Sequence, residues 1–254
     1  MVPIFLVVAV TLAQATDARQ YPGPERRVFE VRSRDAWPLV QARLKDLGLA
    51  VDKVDGKNQA VLTKWRRALG GGWLPEPQLP KGYVAERIRF VVFVSPFVER
   101  AHISVGSQAE ATKMQTPRAS ALVYNVTSAN QALMAEIDKA IAAAALPKFV
   151  PADPAPCSPS PQATITNPEK IPLSVFEVPY PGGDQKAGTG GTVVVEMTIP
   201  TDGAVSNLRV SGPPVGEQLE AAATGAASLL LYSPVRMGGC PVPFLMTYTV
   251  RFRR

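Results

Sequence analysis

The chain is poor in the residues that most enzymes depend on. It holds one histidine, two cysteines and few aromatic side chains, at 7%. A hydrolase or transferase needs a positioned base beside a nucleophile. His102 lies in an apolar strand pattern, where a structural or surface role outweighs catalysis. There is no Gly-x-Ser-x-Gly elbow, and the triple glycine at 70–72 lacks the Gly-Lys-Ser/Thr ending of a phosphate loop. Asp52 and Asp55 sit around a turn, where acidic residues are common, so they make no case for a cation. No catalytic residue, metal site or cofactor is expected. The chain reads as a non-enzyme.

The two cysteines, Cys157 and Cys240, form no CxxC and have no histidine nearby, which argues against a metal or redox motif. The apolar run at 4–12 is too short for a membrane-crossing helix, which needs about 20 residues. It is followed by Ala13-Gln14-Ala15, a small-x-small site, so residues 1–15 read as a cleaved export signal, although no Lys or Arg precedes the run. Export to the periplasm makes a Cys157–Cys240 disulfide the natural pairing. Two buried free thiols are the alternative.

With 254 residues and 46% hydrophobic side chains, the chain can build two ordinary cores. Its charge is uneven. Residues 16–150 carry 20 basic against 13 acidic side chains, and residues 151–254 carry 7 against 8, so the net +6 belongs to the first part. That part offers a basic face for an anionic envelope surface, a plain solvated surface being the alternative. Nucleic acid is not an expected partner.

Of the 25 prolines, several cluster in PKFVPADPAPCSPSP, residues 147–161. Such a run builds neither helix nor central strand, and residues 147–170 read as a linker. Before it, residues 28–31 alternate like a strand. Ser33 or Asp35 is placed to cap a helix to about Leu47, with Trp37, Val40, Leu44 and Leu47 on one face and Gly48 as its stop. Strands are expected at 49–54, 60–65, 88–94 and 98–105, with 70–82 a loop, and a long helix at 128–146.

The segment DAWPLVQARLKDLGLAVDKVDGKNQAVLTKW, residues 35–65, resembles the helix-grip domains of BamC, a lipoprotein of outer-membrane assembly. The likeness implies, for residues 26–146, an antiparallel sheet with a long C-terminal helix. The lipid-bearing cysteine of that family is missing.

After the linker come Tyr180-Pro181, GGTVVVEMTIPTDGAV at 190–205, a helical stretch at 217–231, YSPV at 232–235 and MTYTVRF at 246–252. Asp202-Gly203 marks a tight hairpin turn. Phe244, Met246, Tyr248, Val250 and Phe252 share one face of the last strand, read as 242–253, at period two. This series is similar to the C-terminal domain of TonB, over residues 171–254. It implies an α+β module of three strands and one helix, and with the first region an α+β protein of two small domains. Members of that family capture a segment of an outer-membrane receptor by strand addition. Carried over, the binding edge is the last strand, Phe244 to Phe252 and Arg253, with Thr247, Thr249, Arg251 and Arg253 facing a partner or water. The resemblance points to a periplasmic adaptor whose partner is an outer-membrane protein or receptor segment. An inner-membrane energy transducer is the second reading. A small-ligand or lipid carrier, with its cavity between the first sheet and the long helix, is the third.

Overall fold

A computed structural model describes residues 19–68, 72–79, 81–114, 116–149, 170–171 and 190–252. The export signal at 1–15 and nearly all of the expected linker lie outside them. Among the described residues no helix is long and apolar enough to cross a membrane.

The elements run β1 (Arg19–Gln20), β2 (Glu25–Arg32), α1 (Ser33–Asp46), β3 (Val51–Asp55), β4 (Ala60–Thr63), β5 (Arg66–Arg67), β6 (Tyr83–Val94), β7 (Arg100–Lys113), β8 (Thr116–Tyr124) and α2 (Thr127–Ala143). They continue with β9 (Lys170–Ile171), β10 (Gly191–Ile199), β11 (Ser206–Ser211), α3 (Glu217–Ser228), β12 (Leu231–Tyr232), β13 (Arg236–Met237), β14 (Cys240–Pro241) and β15 (Phe244–Phe252). The protein is α+β, and every strand pair described is antiparallel.

The larger sheet runs β2-β7-β6-β4-β3, with β5 added to β6 and β8 to β7. Its period-two pattern sends Ile88, Phe90, Val92 and Val94 against α1 and α2. There they meet Val40, Leu44, Leu133, Met134 and Ile137, each 0% exposed, so the space beneath α2 is filled. The alternate residues Val91 and Phe93 are equally buried, because the opposite face is covered too.

What covers it is the second sheet with α3. That sheet runs β1-β11-β10-β15, four strands and not the three expected, because Arg19–Gln20 near the start of the chain pairs with Val210 and Arg209. Its inward residues Val193, Val195, Met197, Ile199, Leu208 and Val210 pack on α3. The far side of α3 meets β8, where Tyr124 joins the same core. From Leu219 to Ser228 every residue of the helix except Ala221 is buried, so it has two inner faces where a single one was read. Leu229 and Leu231 leave the helix and close on Ala60, Leu62, Val91 and Phe93 of the larger sheet. The helix therefore ends at Ser228, three residues before the expected 231.

Several local expectations change. Neither Ser33 nor Asp35 caps α1; Arg32 is the N-cap, and the Ser33 hydroxyl turns to the carbonyl of Val98 at 2.8 Å. Gly48 does take the left-handed conformation, at φ 70°. The β6 and β7 strands are much longer than the 88–94 and 98–105 segments, forming one hairpin that serves both layers. Strand β8 was missed, since Pro117, Ala119, Ser120 and Ala121 carry little strand preference.

Gly225 is where α3 and β8 approach closest. A Cβ there would sit 2.0 Å from Tyr124 Cγ and 2.5 Å from its Cβ, atoms at the rooted end of the side chain. Gly225→Ala is expected to destabilise the protein by about 1–3 kcal/mol through overpacking, read as a lower urea midpoint. An unchanged midpoint would mean that α3 and β8 are not in contact in solution.

Candidate functional site

The strand expected to bind a partner is β15. It pairs along its full length with β10, from Phe244 opposite Ile199 to Phe252 opposite Gly191. Phe244, Met246, Tyr248 and Val250 are half-buried and Phe252 is buried, on the α3 side. Leu245, Thr247, Thr249 and Arg251 are exposed on the other face, Leu245 at 62%. The alternation is the one read from sequence. Arg253 lies outside the described residues. Cys240 is buried at 7% at the start of β14, close before β15 in the chain, and Cys157 lies outside the described residues.

The opposite side of this sheet is occupied. β1 lies on β11 and is latched through Glu220 of α3. The Arg19 guanidinium donates from Nε and Nη2 to the Glu220 carboxylate at 2.7 and 3.0 Å, and the Tyr21 hydroxyl donates to it at 2.9 Å. The Val215 backbone N–H adds a further bond to Glu220 at 2.9 Å. Glu220 is 2% exposed. Burial alone would raise its pKa, but these donors outweigh burial and hold the carboxyl below its ordinary value.

A second polar cluster joins the two sheets, and sequence reasoning missed it. Asp202, read as a turn residue, is buried at 6% and receives the Arg26 guanidinium at 2.9 and 2.8 Å. His102 Nδ1 lies 2.9 Å from the same carboxylate. The Ser95 hydroxyl donates to the Asp202 carbonyl at 2.6 Å. Gly203 beside it must lack a side chain, since a Cβ would stand 2.2 Å from the Tyr232 carbonyl oxygen. The lone histidine is thus a structural group that meets a turn 100 residues away. Nothing local in the sequence pairs them; only the combination of a single histidine and a turn aspartate hints at a shared role.

In class, the second sheet and α3 are a small α+β module with β15 at one edge of the described sheet and the two-residue β1 at the other. Residues 177–253 match the family model of the Gram-negative bacterial TonB protein C-terminal domain. A search of curated proteins found no match to the chain.

Burial raises the pKa of Asp202, yet the His102 hydrogen bond, the Arg26 charge and the Ala204 N–H together bring it below its ordinary value. A folded carboxyl that holds its proton less tightly than the unfolded one, near 3.8, contributes stability fully above that pH. That contribution disappears as pH falls through the lower folded value. Asp202→Asn is expected to cost about 2–3 kcal/mol at neutral pH, by weakening a nearly buried charge cluster. The gap between wild type and variant in chemical denaturation should shrink as pH falls below the ordinary aspartate value of 3.8 and through the lower folded one. A gap that is independent of pH would contradict the assignment.

Proposed function

We propose that the protein is a non-enzymatic binding protein of the Gram-negative cell envelope, working in the periplasm. In this reading residues 26–146 and 171–254 are two modules joined by the proline-rich 147–170 segment. The C-terminal module takes a segment of an outer-membrane protein as an added strand along β15, with Thr247, Thr249 and Arg251 presented beside it. A sheet edge gives main-chain hydrogen bonds to an incoming strand, and the alternating side chains select it.

The observation that carries this reading is the family match at 177–253, together with the position of the nine-residue β15 at the sheet edge opposite β1. Because β1 already lies on β11, the other side of the sheet is a poorer acceptor. A Cys157–Cys240 disulfide, in the same proposal, ties the linker close to the start of β15. Reduction of that bond would then alter partner affinity. An energy transducer would share the same module and differ in having a membrane anchor. A carrier with its ligand beneath α2 is disfavoured by the side chains that fill that space.

A photo-crosslinking residue placed at Leu245, Thr247 or Thr249 of the full chain in cells should capture an outer-membrane protein. The same residue at Val54, on the edge strand β3 of the larger sheet, should not. Capture at Val54 with none on β15 would overturn the proposal.

A further inference from the structure

One row of side chains across the larger sheet is short of acceptors. Arg89 on β6 pairs in register with Gln108 on β7, and Gln108 pairs with Tyr124 on β8. Side chains directly opposite each other on neighbouring strands share a face, so the three stand side by side. They lie on the face that turns toward α3, where Tyr124 packs on Gly225. Arg89 Nε donates to Gln108 Oε1 at 2.6 Å. That bond fixes the amide orientation and turns Gln108 Nε2 away from Arg89. Gln108 is fully buried, and its Nε2 has no hydrogen-bond partner. Tyr124 is 6% exposed, and its hydroxyl has none either.

Arg89 completes a set made only of donors. Its guanidinium stacks 4.6 Å from the Trp65 ring centroid, beside Arg87 at 5.2 Å on the same ring. Arg87 is neutralised by a two-point pair with Glu110. Among the described residues Arg89 has no carboxylate in contact; Asp52 and Glu110 act on it only at longer range. Burial pushes the Tyr124 phenol well above its usual pKa while the Arg89 charge pulls it down, so the two groups sense each other. Unpaired buried donors cost free energy unless an acceptor reaches them. A half-buried arginine flanked by two such donors is the donor arrangement that an oxyanion requires.

We propose that Arg89, Gln108 Nε2 and the Tyr124 hydroxyl form a binding site for a carboxylate group. With Arg87 already paired to Glu110 and Asp52 nearby, only the Arg89 charge faces the site, which favours a monoanion over a phosphate dianion. The carboxylate belongs to a free organic acid or to a peptide C-terminus; both present the same group. This site is on the other sheet from β15 and does not depend on strand addition there.

The test is a titration of the full-length 15N-labelled protein at constant ionic strength, following the Gln108 side-chain amide and the Arg89 Nε–H. The probes are sodium benzoate, inorganic phosphate, and one short peptide with either a free or an amidated C-terminus. Saturable shifts with benzoate, and with the free but not the amidated peptide, are expected, with phosphate weaker. A response to benzoate alone assigns a free acid, and one to the free peptide alone assigns a chain end. Arg89→Gln should weaken binding about tenfold or more, and Tyr124→Phe by severalfold, as expected for lost bonds to a charged group. Tyr124→Phe keeps the ring on Gly225, so it separates binding from folding if Arg89→Gln does not fold. Shifts that never saturate, or that are unchanged in Tyr124→Phe, would overturn the proposal and leave water as the only acceptor.

Discussion

Helix α3 is thin, and the joining of the two sheets depends on that. Between Ala221 and Ser228 it carries nothing larger than threonine. Such a helix can lie with one side on its own sheet and the other against β8, at distances a larger side chain would forbid. Interiors are packed like crystals, so this closeness leaves no slack for added atoms. Leu229 and Leu231 then extend the contact onto Val91 and Phe93, turning the open face of the larger sheet into a second core.

Polar groups fix the register of that joint. A buried carboxylate without partners is costly, and each of the two here is surrounded by donors from distant parts of the chain. Glu220 holds the β1 segment to α3, and Asp202 holds the hairpin turn to β2 and β7. Asn125 adds a third point, donating to the Pro22 carbonyl and the Ser228 hydroxyl at 3.0 and 2.8 Å. These contacts favour one alignment of the sheets where apolar packing alone would tolerate several. They also assign the chain's first described residues to the C-terminal sheet, which makes the two halves interdependent.

Much of this was legible from sequence, and the failures share a cause. The β10 and β15 strands, the Asp202-Gly203 turn and the outward Thr247, Thr249 and Arg251 follow from period-two alternation and turn chemistry. Helices α1 and α2 were found within a few residues, because each has one apolar face. Val91 to Val94 are apolar at every position, a sign that both faces of β6 are covered, though not of what covers them. The β1 strand is two residues long and β8 is rich in small residues, so neither carries a periodic signal. The Asp202–His102–Arg26 cluster and the Arg89–Gln108–Tyr124 row are set by long-range pairing, which no local spacing encodes.

The central claim is that the two sheets form one cooperative unit through α3. All three tryptophans, Trp37, Trp65 and Trp73, belong to the first half of the chain, so their fluorescence reports the larger sheet alone. Amide signals of β10 in NMR spectra report the other sheet. Followed together through a urea titration of the full chain, the two probes should give one coincident transition. Two separated transitions, with β10 melting while tryptophan fluorescence stays native, would contradict the account.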